Sequence, residues 1–304
     1  QNRKEVLPDT LRKKLDLSNY WNLPWDTAVS FHQKIDSGAT KIWRYVAHNV
    51  HDFAWIAGPH YRIHDSTANG FQVVALVLEP HASGWKTAID FTRNVMEVYQ
   101  KDIGKYAYPK MVVADCQDGM EYPMLTMDGG SEPGYRKLLA HEVGHNWFYG
   151  MVNNNETYRA MLDEGFTQFL TVWALEAIDG KYIKQNVSKN KLANKVHEHT
   201  CSREANIYNG YMYDAMRLRD PSLNTHSDGF NGALGQVGGY GHVYTKTATM
   251  LYNLQYVLGD SLFLNALQHY FNQWSFCHPY IEDFRQSFID YTKVDLNWFF
   301  DQWI

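Results

Sequence analysis

The stretch LLAHEVGHNWFYG, residues 138–150, sets two histidines and a glutamate within five positions, His141-Glu142-x-x-His145. On an α-helix, positions i and i+4 share one face, about 6 Å apart along the axis. Both imidazoles can therefore reach one ion at roughly 2.0–2.1 Å, the zinc–nitrogen distance. Glu142 lies about 100° round the helix from His141, where it can touch a water beside the ion without ligating the ion. Gly144 costs a helix about 1 kcal/mol against Ala but leaves room for close packing. In a chain with 14 histidines this pattern needs a third ligand before it constrains the fold. Glu164, in MLDEGFTQFL, follows His145 after 18 intervening residues, 146–163. That length lets one helix finish, the chain turn over 150–155, and a second helix return antiparallel so that Glu164 faces the histidines. Two neutral imidazoles and one carboxylate leave a zinc ion with an open fourth position, the catalytic arrangement.

The sequence around this pair predicts strands first and helices second, an α+β class. Runs such as KIWRYVAH (41–48) read as short strands. FQVVALVLEP (71–80) reads as a buried strand that stops at Pro80, and KMVVADC (110–116) and MEYPMLTMD (120–128) as two more. Residues 84–104 carry Ile89, Phe91, Val95 and Val98 at helical spacing. Ser131 and Pro133 predict the start of the histidine-bearing helix, and Gly150 its stop. A helix is expected over 156–178, ending near Gly180, then a glycine-rich irregular stretch over 200–241. Three apolar helices follow at about 244–258, 260–273 and 280–292.

Composition excludes several classes. With 304 residues, 45% of them hydrophobic, the chain can bury a large core. The net charge of -5 and the absence of Lys/Arg runs argue against nucleic acid as a partner. No apolar run is long enough for a transmembrane segment. The start, QNRKEVLPDT, has no initiator Met and no apolar signal segment, which leads us to expect a piece of a longer chain. Three scattered cysteines, Cys116, Cys201 and Cys277, make no disulfide framework. The compartment stays open among periplasm, exterior and cytoplasm.

HExxH, eighteen residues and Glu is the signature of the gluzincins. HEVGHNWFYG and LDEGF resemble the aminopeptidase N and leukotriene A4 hydrolase family. The resemblance covers most of the chain. NVHDFAWIAGPHY (49–61) resembles the end of that family's N-terminal β domain and the entry to its catalytic domain. DGMEYP (118–123) sits where the family has Gly-x-Met-Glu-Asn, VYTKTATMLYNLQYVLG (243–259) resembles its Tyr-x-Lys helix, and FCHPYIEDFRQSF and WFFDQWI the close of its catalytic domain. The resemblance implies a thermolysin-like catalytic domain over 61–304, with a small mixed sheet and a mainly helical half. Residues 1–60 would be the remnant of a preceding β domain and its linker. It implies one Zn2+ held by His141, His145 and Glu164, with Glu142 as general base and Tyr244 on the oxyanion; Tyr240 is the alternative tyrosine. Glu121 would hold the substrate's α-amine, with Gly119 and Met120 lining the cleft. Here Tyr122 and Pro123 follow Glu121 where the family has Asn, which bears on how the amine pocket is built; Pro123 also favours an edge strand.

Asn146, Asp163 and Gln168 are candidates to hold the ligands' far side. Cys116 reads as a small core residue and Arg159 as a helix-surface charge. The partners implied are peptide substrates and further β and helical domains of a parent protein. The leading function is a zinc aminopeptidase. The alternatives are a related zinc endopeptidase or epoxide hydrolase, or a non-catalytic scaffold of the same fold; the presence of all three ligands and the base favours catalysis.

Overall fold

The computed structural model describes residues 2–25, 40–68, 70–183, 195, 200–231 and 241–304. The chain divides into two compact units, Gln1–Asn94 with Ala107–Val143, and Val95–Tyr106 with Gly144–Ile304. Two helices, α3 (Ala88–Asp102) and α4 (Tyr135–Gly144), run through the divisions.

The first unit opens with two short helices, α1 (Arg3–Val6) and α2 (Asp9–Leu15). Its centre is a five-stranded mixed sheet of β1 (Tyr61–Ala68), β2 (Phe71–Leu78), β3 (Lys110–Asp115), β4 (Met120–Tyr122) and β5 (Leu125–Asp128). The order is β1-β2-β3-β5-β4. β2 pairs antiparallel with β1 and parallel with β3, and β3 pairs parallel with β5. β2 is apolar at nearly every position because both of its faces are covered. Val73, Ala75 and Val77 bury one face, and Val74 packs with Val112 and Leu125 on the other.

Three expectations change in this unit. Residues 41–47 form no strand among the described residues. Instead the Asn2 side chain donates to the Ile42 carbonyl at 2.8 Å and accepts from the Arg44 N–H at 3.0 Å. One amide side chain thus does what a neighbouring strand would do. Residues 120–128 are two strands, not one. Pro123 holds φ near −65°, Met124 turns left-handed at φ 65°, and Tyr122 pairs with Leu125 across the turn. The resulting β4 is the sheet edge that Pro123 suggested. Finally, α4 begins at Tyr135, after a turn over 131–134. The Tyr135 ring stacks on Trp85 at 5.2 Å between centroids and fixes the helix start.

β3 and β5 end side by side in Asp115 and Asp128. Asp115 accepts from the Leu78 N–H at 3.0 Å and pairs with His81 Nδ1 at 2.7 Å. Asp128 is fully buried and takes one hydrogen bond from Thr126, at 3.0 Å. Burial pushes its carboxyl up from 3.8 to about 7. The unfolded chain releases this proton first, so stability falls as pH rises from about 4 to about 7, by about 1.4 kcal/mol per pH unit. The urea stability of Asp128→Asn relative to the original chain should therefore rise by about 2–3 kcal/mol between pH 5 and pH 8. Parallel stability profiles for the two chains would contradict this.

The second unit is helical: α5 (Glu164–Asp179), α6 (Asn209–Ala215), α7 (Gly241–Leu258), α8 (Asp260–Trp274), α9 (Ile281–Thr292) and α10 (Asn297–Trp303). Its core is aromatic, with Phe166, Phe284 and Tyr270 in mutual ring contact. α5 and α7 meet closely at Gly165, where a Cβ would fall 2.2 Å from Thr247 Cβ. The expected helix over 156–178 starts later, because residues 160–162 form a 3-10 turn that delivers Glu164 as the first residue of α5. It ends as expected at Gly180, whose φ is 93°. The stretch 200–241 is more helical than expected, with a π-turn over Glu204–Tyr208 leading into α6. The three late helices fall where their apolar spacing placed them. Among the described residues, no helix is long and apolar enough to cross a membrane. The five-stranded sheet followed by a mainly helical half is the α+β, thermolysin-like class expected.

Candidate active site

α4 buries Tyr135, Leu139, Ala140 and Val143, and this leaves His141 and Glu142 on its remaining surface, both below 9% exposed. The helix stops at Gly144, not at Gly150 as expected, because beyond it the backbone changes to wider turns. There a Cβ would stand 3.0 Å from Thr167 Cγ2, so glycine permits the close packing the sequence suggested. Beyond it the backbone winds wide. The N–H groups of Gly150, Met151 and Val152 reach back five residues to the carbonyls of His145, Asn146 and Trp147.

His145 is almost fully buried. Its Nδ1 lies 2.6 Å from Asp163 Oδ1, with Thr167 Oγ1 at 3.2 Å and the Phe148 carbonyl at 3.3 Å. Nδ1–H therefore donates to Asp163, which directs Nε2 toward Glu164 Oε2, 3.2 Å away. Burial alone would push the His145 pKa down; Asp163 and Glu164 outweigh it and hold the pKa well above its ordinary value. A field that favours a proton on this ring favours a cation beside it.

His141 stands one helical turn before His145, and one ligand atom of each lies within 4.8 Å of the other. His141, His145 and Glu164 form a group that could hold a metal ion. The donor set passes a geometric test. Ligands at 2.0–2.1 Å in a tetrahedron are separated by about 3.3 Å, and His145 Nε2 and Glu164 Oε2 are 3.2 Å apart.

Glu142 meets the end of the sheet. A Cβ on Gly119 would fall 2.2 Å from Glu142 Oε1, so the backbone at Gly119 lies against that carboxylate. Glu121 comes two residues later, on the same side of edge strand β4, and one of its oxygens lies within 4.8 Å of one of Glu142. Met120 points to the other side and pairs with Met127. Tyr122, where the family has Asn, packs on the Val74, Val112 and Leu125 cluster. Tyr244 lies in the first turns of α7, half-buried against Ala160 and Val243. Tyr240 is outside the described residues.

Of the outer candidates, Asp163 meets a histidine. Asn146 accepts from the Tyr106 hydroxyl at 3.4 Å, and Gln168 donates to the Asn206 carbonyl at 3.0 Å. Thr167 was not foreseen, although it stands three residues after Glu164 and so on the same helix face. The Cys116 thiol is pushed up by burial, as suits a packing residue. The Arg159 guanidinium pairs with Asn224 and donates to the Tyr158 carbonyl.

Residues 130–303 match the family model described as the peptidase family M1 domain. The chain is 24% identical over 305 residues to an aminopeptidase N of Lactococcus lactis subsp. lactis, covering 92% of this chain and 34% of that protein. It is 22% identical over 227 residues to a leucine aminopeptidase 2 of Aspergillus terreus, covering 69% of this chain and 33% of that protein. Among solved structures it is similar to an M1 zinc metallopeptidase from Deinococcus radiodurans, with a TM-score of 0.61 at 14% identity over 80% of this chain and 50% of that one. A form of that enzyme with a bound Tyr-Ser-Ala substrate gives the same TM-score. A buried His-Glu-x-x-His helix end with a glutamate at the start of the next long helix defines a metallopeptidase of the gluzincin class. The chain belongs to peptidase family M1. It spans about a third of the length of these curated relatives and about half that of the solved structures.

Proposed function

We propose that this chain carries the catalytic centre of a zinc aminopeptidase, with 61–304 as the catalytic domain and 1–60 as the end of a preceding β domain. The observation that carries the reading is the His145 imidazole held between Asp163 at Nδ1 and Glu164 at Nε2, one turn after His141. His141, His145 and Glu164 would hold one zinc ion. When bound, zinc polarises a peptide carbonyl and lowers the pKa of water toward about 7. The Glu142 carboxylate takes a proton from the attacking water and passes it to the leaving amine nitrogen. Tyr244 donates a hydrogen bond to the oxygen on which negative charge develops. Glu121 pairs with the substrate's α-ammonium, and edge strand β4 offers backbone groups to an extended peptide beside it. A carboxylate at that place admits the free end of a chain and disfavours its middle.

The test is hydrolysis of a short peptide with a free amine beside its N-acetylated form, with and without chelator. The reading expects residue-by-residue release from the free peptide alone, abolished by chelator. Cleavage of the acetylated peptide alone would make the chain an endopeptidase.

Two substitutions probe the site's construction. Asp163→Ala removes the acceptor that orients His145 and should weaken zinc binding by about 10–100-fold in a chelator competition; unchanged affinity would remove Asp163 from the site. Gly119→Ala forces the Glu142 carboxylate out of its place. We expect kcat to fall by more than about tenfold, since 1.36 kcal/mol of lost alignment suffices, while zinc content stays the same. A normal kcat would show that Glu142 works from elsewhere.

A further inference from the structure

Tyr149 has a backbone φ of 125°, a conformation that a residue with a β-carbon rarely adopts. It is buried, and its N–H donates to the Val152 carbonyl at 2.9 Å. Phe148 and Val152 bridge the same turn, whose N–H groups reach back five residues to His145, Asn146 and Trp147. The Tyr149 ring stands edge-to-face to the His145 imidazole, with centroids 6.4 Å apart and planes at 83°. That lies inside the range in which ring pairs attract. The preceding carbonyl, Phe148, is 3.3 Å from His145 Nδ1. Backbone strain of this kind persists only where the surroundings over-determine it, and it concentrates at functional sites.

We propose that Tyr149 is a positioning residue for His145. Its ring blocks rotation of the imidazole from one side, and its left-handed backbone sets the Phe148 carbonyl beside Nδ1. Together with Asp163 and Thr167 this aims Nε2 at the place shared with Glu164. The proposal rests on the zinc reading above.

The experiment compares Tyr149→Leu, Tyr149→Gly and Tyr149→Phe by zinc affinity in a chelator competition, by the visible absorption of the cobalt-substituted chain, and by the thermal midpoint of the metal-free chain. Leu keeps the β-carbon and a bulky apolar side chain but loses the ring. Gly relieves the backbone and loses the ring. We expect both to bind zinc about 10–100-fold more weakly, with an altered cobalt spectrum; Tyr149→Gly, which deletes a buried ring, should also melt lower when metal-free, while Tyr149→Leu should stay closer to the original chain. Tyr149→Phe, which keeps the ring, should restore affinity to within about threefold. Unchanged zinc affinity and cobalt spectrum in Tyr149→Leu would overturn the proposal, and so would a Phe variant as weak as Leu. Failure of the unaltered chain to bind zinc is a separate outcome, which overturns the zinc reading itself.

Discussion

Replacing Glu142 with Gln should lower kcat by about 10²–10⁴ while leaving zinc content and thermal stability unchanged. The range is that of a lost general base. Gln keeps the size of the side chain and its place against Gly119, and an amide cannot take the proton of the attacking water. The residue is buried on α4 between two histidines, so a solvent-facing role is excluded. Steady-state rates on an aminoacyl substrate, with metal analysis on the same sample, make the comparison. Activity surviving this substitution would remove the proposed mechanism even if the metal is bound as expected.

The second large effect is expected from His145→Ala. The substitution removes a proposed zinc ligand, and also the donor that Asp163 and the neighbour that Glu164 now face at 2.6 and 3.2 Å. Two carboxylates would be left around an empty volume, with Asp163 only 2% exposed. Leaving such a buried acceptor without its donor costs about 1–3 kcal/mol, so the thermal midpoint should fall. Zinc should be lost, and activity should drop by more than about 10³, since the metal contributes several kcal/mol to the transition state. A variant that keeps a full complement of zinc would show that the ion is held by other residues.

The site was legible because its chemistry is written locally. Spacing alone placed His141 and His145 one turn apart, although the helix itself ends at Gly144, and the eighteen residues to Glu164 left room for a second helix to return. β2 was legible as a run apolar at every position but Gln72, and α7, α8 and α9 by their periodicity. What stayed hidden depends on atoms far apart in sequence or on unusual backbone. The strand-like run 41–48 is held by Asn2, forty residues away from Ile42, a partner that no local pattern announces. The β4–β5 hairpin turns at Met124, a residue type with no preference for the left-handed region it occupies. Strain at Tyr149 is likewise invisible in the letters NWFYG. Thr167 was within reach of helical arithmetic, one turn after Glu164. Tyr122 explains the departure from the family motif: it is a core contact of the sheet, which leaves Glu121 in place at the strand edge.

The most direct test of the account is the zinc content of the purified chain, measured beside its aminopeptidase rate as zinc is withdrawn by chelator and restored. The account predicts one zinc per chain, with rate and occupancy falling and recovering together. A chain that hydrolyses the free-amine substrate at an undiminished rate when stripped of metal, or that takes up zinc without gaining activity, would contradict it.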